Sequence, residues 1–221
     1  ARAVLANRER PGKGQHSARA LLDTQVGFLA NKGATFRAPG EAPARGPEGR
    51  VGEAGIHPPD HALAQAAERL RGARRPVVIV GHGARFQMGA VMALAERLSA
   101  PVLTTFKGKG LVSDRHPLGC GVLGRSGTPI ASWFMNEADL LLVMGASFSN
   151  HTGITPKLPI IQVDSDPMAL GRFHPVAVPV QGDIAVTAGL LLDALEGAEP
   201  PEDRRPEIAR RWAGWRAEKA R

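Results

Sequence analysis

Only one cysteine, Cys120, occurs among the 221 residues, so the chain can form neither an internal disulfide nor a thiolate metal cage, as suits a reducing compartment. Histidine is not scarce, but it is scattered: His57 and His61 have two prolines between them, which rules out the helical i, i+4 face that a metal pair needs. They read as solvated or capping side chains. Long apolar runs are missing as well. No stretch reaches bilayer length, and the first residues, "ARAVLANRERPGKGQ", lack the apolar core of a secretory signal. A cytoplasmic protein with no membrane partner is expected. "GKG" at 12–14 and 108–110 lacks the spacing that wraps a triphosphate, and no G-x-S-x-G elbow presents a nucleophilic serine.

Negative charge is in deficit, with a formal net charge of +7. The excess sits at the ends: residues 1–75 carry 13 basic against 7 acidic side chains and residues 199–221 carry 7 against 5, leaving 8 against 9 between them. With a nearly neutral middle and no basic stripe interleaved with aromatics, only the tails offer phosphate contacts, and no nucleic-acid partner is expected.

What is present is a core. Hydrophobic residues make up 43% of the chain, enough for one large domain or a domain with an arm. Residues 1–58 are rich in Gly, Pro, Ala and Arg and read as an irregular arm or linker. From Asp60 the pattern changes: Leu63, Ala66, Ala67 and Leu70 predict a helix with Asp60 as N-cap that ends by Gly72. Five short apolar runs then read as strands, at 76–80, 101–105, 139–145, 159–164 and 176–183. Helical stripes separate several of them, including Val91, Leu94, Ala95 and Leu98. Buried strands alternating with helices predict an α/β fold, a parallel sheet with helices on both faces. At the end, "PEIARRWAGWRAEKAR" places Ile208, Trp212 and Trp215 on one helical face, which suggests docking against another surface, such as a part of the protein outside this chain.

In such sheets the ligand lies beyond the carboxyl ends of the strands. Each of those junctions is glycine-rich or acidic: "GHG" at 81–83, "TTFKGKG" at 104–110, "GASFSNHTG" at 145–153, "DSDP" at 164–167 and "QGDI" at 181–184. Glycine lets backbone approach a phosphate or ring, and carboxylates such as Asp164 and Asp166 accept hydrogen bonds from ribose hydroxyls. The pattern fits a nucleotide. It departs from the usual dinucleotide fingerprint, because Phe86 stands where a third glycine would, and the acidic pair lies about 80 residues on instead of ~20. Taken singly, each glycine also reads as a strand or helix cap, and Lys107 and Lys109 as either a phosphate contact or a solvated loop.

The order of these pieces, "RPVVIVGHGA", "LSAPVLTTFKGKGLVSDRHPLGCGVLGRSGT", "ADLLLVMGASFSNHTG", "PIIQVDSDPMALGR" and "VQGDI", resembles the central domain of thiamine-diphosphate-dependent enzymes of the acetolactate synthase and pyruvate oxidase group. The resemblance covers residues 75 to about 197 and suggests an arm at 1–58, a central domain at 59–197 and a C-terminal linker helix at 198–221. It implies a six-stranded, Rossmann-like parallel sheet that holds FAD, or ADP as in oxalyl-CoA decarboxylase, or serves as a vestigial scaffold. By position, Gly81, His82 and Gly83 would approach the nucleotide. Thr105, Phe106 and Lys107 would flank its ribityl and ring portion, with Gly124, Arg125, Ser126 and Gly127 beside them. Gly145, Ala146 and Ser147 would lie by the pyrophosphate, Asp164 and Asp166 by the ribose, and Asp183 with Ile184 by the adenine.

The resemblance has departures. Flavin-binding relatives usually carry arginines where this chain has Ser147 and His151, and an acid where it has Ser149; each missing cation removes charge-assisted bonds of ~1.5 to 3 kcal/mol. The glutamate and G-D-G segments that serve thiamine diphosphate and magnesium have no counterpart, so the resemblance implies partner domains for pyrimidine and diphosphate, a homo-oligomer, and no catalytic residue in this chain. The alternatives are a stand-alone nucleotide-binding or interaction module, and an NAD-dependent deacylase, which one cysteine disfavours because its usual zinc site needs four.

Overall fold

The computed structural model describes residues 55–220. Helix α1 spans Asp60–Gly72 and buries Ala62, Ala66, Ala67 and Leu70. Asp60 is its first helical residue and not its cap. Pro59 holds the cap position, and its carbonyl accepts from the amides of Ala62 and Leu63. A proline with φ near −60° already has the geometry this entry needs, so a side-chain cap is dispensable.

Strand β1, Pro76–Val80, is buried along its whole length, as a β-branched run covered on both faces must be. Helix α2 (Met88–Arg97) leads to β2 (Val102–Thr104), and a glycine-rich loop to β3 (Gly119–Val122). Helix α3 (Pro129–Asn136) starts with Thr128, whose side chain accepts from the Ala131 amide, and with proline in the first turn. Then follow β4 (Leu140–Met144), β5 (Ile160–Asp164), β6 (Val178–Gln181), α4 (Ile184–Ala194) and α5 (Arg205–Lys219).

All six strands are parallel, in the order β3-β2-β1-β4-β5-β6. The α/β, six-stranded parallel sheet is therefore present. Chain order runs outward from β1 in one direction and then from β4 in the other. Right-handed crossovers consequently put α2 and α3 on opposite faces. Helices α1 and α2 both pack on α4, while α3 packs on β3 and α5.

The sixth strand is the one that residue patterns alone leave out. "GCGV" carries little apolar bulk, yet its backbone completes the sheet edge, with an irregular register against β2. Its glycines are there for space. A Cβ on Gly119 would overlap the Ser113 carbonyl oxygen, and Gly121 sits at φ +82 with Thr128 crowding the place of a side chain.

The C-terminal helix meets that edge. Ile208 and Trp212 are buried, and the Trp212 indole Nε1 donates to the Gly119 carbonyl at 2.8 Å. Trp215 packs edge-on against Trp212, centroids 5.5 Å apart. The tryptophan face thus docks on this chain's own sheet, correcting the expectation of a surface outside it. Arg204, only 5% exposed, anchors the start of α5. It bonds Glu207 at 2.8 Å and lies over the Phe134 ring at 5.3 Å.

Candidate functional site

Between β1 and β4 the chain order reverses, and there an open α/β sheet leaves a crevice at its carboxyl edge. Three glycines fill the crevice floor. A Cβ on Gly81 would overlap the Gly145 carbonyl oxygen, and one on Gly83 would come within 2.8 Å of Gly145 Cα. Gly145 itself has φ +60, and a Cβ there would lie 2.7 Å from both the Ala84 nitrogen and Ile184 Cδ1. The amides are engaged too: Gly81 N–H donates to Met144 O at 3.0 Å and Gly83 N–H to Gly145 O at 2.9 Å. These glycines bring two strand tips into contact, which is the capping reading of the sequence made concrete.

The open space adjoins this floor at Gly145. One cavity, 300 Å³, is bounded by His82, Gly145, Ala146, Asp164, Asp166 and Arg172, among others. The second, 460 Å³ and more apolar, is bounded by Phe106, Leu123, Arg125, Ser126, Gly127 and His151, among others. Thr105, Lys107 and Ser147 border both, so the two adjoin. Each volume falls in the range of about 300 to 1,000 Å³ usual for small-molecule sites.

The walls come from five strand tips, with β1 contributing His82. Thr105 is buried at the end of β2; its amide donates to Val80 O, and its hydroxyl accepts from Gly108 N at 3.2 Å, which fixes the turn carrying Phe106 and Lys107. Beyond β3, Gly124 at φ +117 has room only for hydrogen, since a Cβ would meet the His151 carbonyl oxygen. This contact joins the 124–127 turn to the loop after β4, where the Ser149 and Thr152 hydroxyls lie 3.0 Å apart. At the tip of β5, Asp164 Oδ1 accepts from Asp166 N–H at 3.0 Å and Asp166 Oδ1 from Met168 N–H at 2.9 Å. Burial pushes the Asp164 carboxyl above the ordinary carboxylate range. The Asp166 charge adds to this, against amides of Asp166 and Ser165 that favour the ionised form.

Most of the residues singled out by sequence border these two cavities; Gly81, Gly83 and Gly124 do not, the first two packing against Gly145 and the third against the His151 carbonyl. Asp183 is placed differently. Its Oδ1 caps α4 by accepting from Ala185 and Val186 amides, and its Oδ2 accepts from Gln87 Nε2 at 2.6 Å. Ile184 is buried against Gly145. Neither borders the cavities, so in this structure their side chains serve the fold. Residues that the sequence reading passed over also border them, among them Leu123 in the larger cavity and Phe148, Arg172 and Phe173 in the smaller one. The loop after β5 carries the last two, and their position at a strand's carboxyl end was the available signal.

Cys120 is buried in β3, and burial pushes its thiol far up, so it is no nucleophile. Among the described residues no group of three or more His, Cys, Asp or Glu could hold a metal ion, and no helix is long and apolar enough to cross a membrane.

Comparison with known proteins now bears on this arrangement. A family model described as "Thiamine pyrophosphate enzyme, central domain" matches residues 63–195. The chain belongs to this family. It is 39% identical over 158 residues to a Pseudomonas aeruginosa protein named as a probable 2-ketoarginine decarboxylase, AruI, covering 69% of this chain and 27% of that one. Identity to the acetolactate synthase isozyme 1 large subunit of Escherichia coli (strain K12) is 33% over 146 residues, or 64% of this chain and 26% of that subunit. Sulfoacetaldehyde acetyltransferase of Rhodobacter capsulatus is 35% identical over 172 residues, with shares of 71% and 29%. A solved structure of a Mycobacterium smegmatis protein, described as a thiamin diphosphate-dependent enzyme, shares the fold with a TM-score of 0.56 at 23% identity, across 73% of this chain and 32% of that one. The chain spans about a quarter of the length of the curated relatives it matches. As a thiamine pyrophosphate enzyme central domain, it has relatives among both decarboxylases and synthases.

Proposed function

We propose that this chain is the nucleotide-accommodating central domain of a thiamine-diphosphate-dependent carboligase or decarboxylase acting on a 2-oxo acid, and that its two adjoining cavities take FAD or ADP. The observation that carries the reading is the pair of cavities sharing Thr105, Lys107 and Ser147 across the carboxyl edge of the sheet.

The residues present suit an extended nucleotide. Asp164 and Asp166 are held through Oδ1, which leaves the other oxygen of each for ribose hydroxyls in the smaller cavity. Ser147 and Lys107 mark the junction, where a diphosphate would cross, and the more apolar cavity beside Phe106 and Leu123 suits a ring. Thiamine diphosphate with magnesium, bound by pyrimidine- and diphosphate-binding domains elsewhere in the parent enzyme or its homo-oligomer, would supply the chemistry that makes and breaks bonds beside the 2-oxo group. This chain's residues contribute binding and support, not proton transfer.

A second feature favours coverage of this edge by the rest of the parent. Phe86, Phe106, Met168 and Phe173 all follow strand tips here, and all stay exposed, Phe86 at 83% and Phe106 at 66%. Large apolar side chains gathered on one edge mark a contact surface.

The test is a thermal melt of the 221-residue chain with FAD or ADP. Ligand at a hundred times its Kd adds about 2.7 kcal/mol to stability, a shift of roughly 5 to 10 °C for a domain of this size. No shift with either at millimolar concentration would leave the cleft a vestigial scaffold.

A further inference from the structure

Gln162 lies in the middle of β5, 2% exposed between Ile161 and Val163. A primary amide is costly there unless its hydrogen bonds are met. They are met by the loop that follows the same strand: Nε2 donates to Ala169 O at 2.9 Å, and Oε1 accepts from Gly171 N–H at 2.9 Å. One planar group thus grips a carbonyl and an amide two residues apart, which fixes the direction of the chain through Gly171, where φ is +66. On the far side of the loop His174 packs edge-on against buried Phe148, with centroids 5.6 Å apart. Folded back in this way, the loop delivers Arg172 to the wall of the 300 Å³ cavity, where Lys107 arrives from the tip of β2. Among the described residues Arg172 forms no salt bridge.

We infer that Arg172 is a phosphate-binding cation of this cleft and that Gln162 is the positioning residue that presents it, so that the cleft holds the diphosphate of a nucleoside diphosphate between Arg172 and Lys107. The inference rests on the nucleotide reading of the cleft and adds the source of its positive charge. Ser147 and His151 provide no fixed cation, and Asp164 and Asp166 in the same wall repel an anion. A diphosphate is retained only if the cations that border the cleft outweigh those carboxylates, whose partners are the ribose hydroxyls. The fork geometry of arginine suits the task.

Isothermal titration of the full chain with ADP, adenosine and pyrophosphate tests this, using the wild type, Arg172→Ala, Gln162→Met and the double variant. Arg172→Ala is expected to weaken ADP about tenfold and to leave adenosine within about twofold. Gln162→Met should reproduce most of the ADP loss, and the double variant should bind no more weakly than Arg172→Ala, because both changes remove one contact. Wild type that binds no ADP overturns the nucleotide reading itself. Wild type that binds ADP with Arg172→Ala unaffected overturns the present inference alone. Equal losses of ADP and adenosine in Gln162→Met would reduce that residue to a structural one. Should Gln162→Met fail to fold by circular dichroism, Arg172→Ala, a change to an exposed side chain, decides the matter.

Discussion

Two glycines with nearly the same backbone angle offer a controlled measurement of how tightly the strand tips pack. Gly145 has φ +60 and Gly153 has φ +63. A Cβ at 145 meets the Ala84 nitrogen and Ile184 Cδ1 at 2.7 Å, whereas nothing lies within 4 Å of one at 153. Alanine in the left-handed region costs roughly 1 to 2 kcal/mol, and the stiffer unfolded chain returns about 0.4 to 1. Gly153→Ala should therefore destabilise by about 1 kcal/mol. Gly145→Ala carries the same backbone cost plus overpacking of roughly 1 to 3 kcal/mol against backbone that cannot step aside, about 2 to 4 in all. Urea unfolding of both variants, at matched m-values, reads the difference. If the two midpoints shift by the same amount, the close approach of β1 and β4 at their tips is wrong, and so is the closed floor of the crevice.

Three further expectations follow from other parts of the molecule. Trp212→Phe keeps most of the ring but leaves the Gly119 carbonyl without its indole donor, so urea unfolding should show a loss of about 1 to 3 kcal/mol. Glu207 sits in a partly buried site that would raise its pKa, yet Arg204 and Arg211 outweigh this and hold it below the ordinary carboxylate range. Its stabilising contribution is thus complete above the unfolded pKa near 4.3 and vanishes as pH falls through the lower folded value. Glu207→Gln should cost about 1 to 2 kcal/mol at pH 7 and shrink the loss of thermal stability between pH 5 and 3 to less than that of the wild type, a range taken as roughly one unit about that pKa. Asp164 has the opposite sign: burial raises its folded pKa, so its contribution is most favourable below the unfolded value and declines as pH rises through the folded one. Asp164→Asn keeps an acceptor for the Asp166 amide, and in thermal melts should be more stable than wild type at pH 7, with the gap closing toward acid. A variant that loses stability at pH 7 would contradict the desolvation argument.

Much of the architecture was legible because burial on both faces demands runs dominated by apolar residues, and "PVVIV", "LLLVM" and, apart from Gln162 and the terminal Asp164, "IIQVD" are such runs. β3 was not, because its place under α5 and beside the Ser113 carbonyl selects for absence of side chain, and "GCGV" carries no pattern to read. The general location of the cleft was legible from the rule that ligands lie at carboxyl ends of parallel strands. Asp183 was not separable from Asp164 by that rule: both are acids at strand ends, but Asp183 is followed directly by a helix and its carboxylate is consumed as the cap. Arg172 stands eight residues past the end of β5, so the strand-end rule points to its loop but not to the residue itself. The bonds from Gln162 help fold that loop back, and a lone amide within an apolar strand was the trace that three-dimensional folding left in the sequence.

The placement of the cavities changes what the glycines are for. Backbone without side chains at 81, 83 and 145 is taken up by strand-to-strand contact, and all three of its amides are already bonded, so in the proposed reading a nucleotide lies across this floor and not within it. A ligand that fills both cavities must pass the junction bordered by Thr105, Lys107 and Ser147. Serine at that place keeps the junction open, but it surrenders the fixed charge that an arginine would bring. In the present inference the diphosphate is held by Lys107 and Arg172, both on exposed loops, where salt screens an ion pair far more than at a buried site. The cleft should accordingly hold a nucleoside diphosphate with an affinity that falls as ionic strength rises, while adenosine, which has no phosphate to meet those cations, binds independently of salt. Titrations at about 0.05 and 0.5 M salt, chosen to bracket a Debye length of ~10 Å, separate the two, and an ADP affinity that ignores salt would place its phosphates away from both side chains.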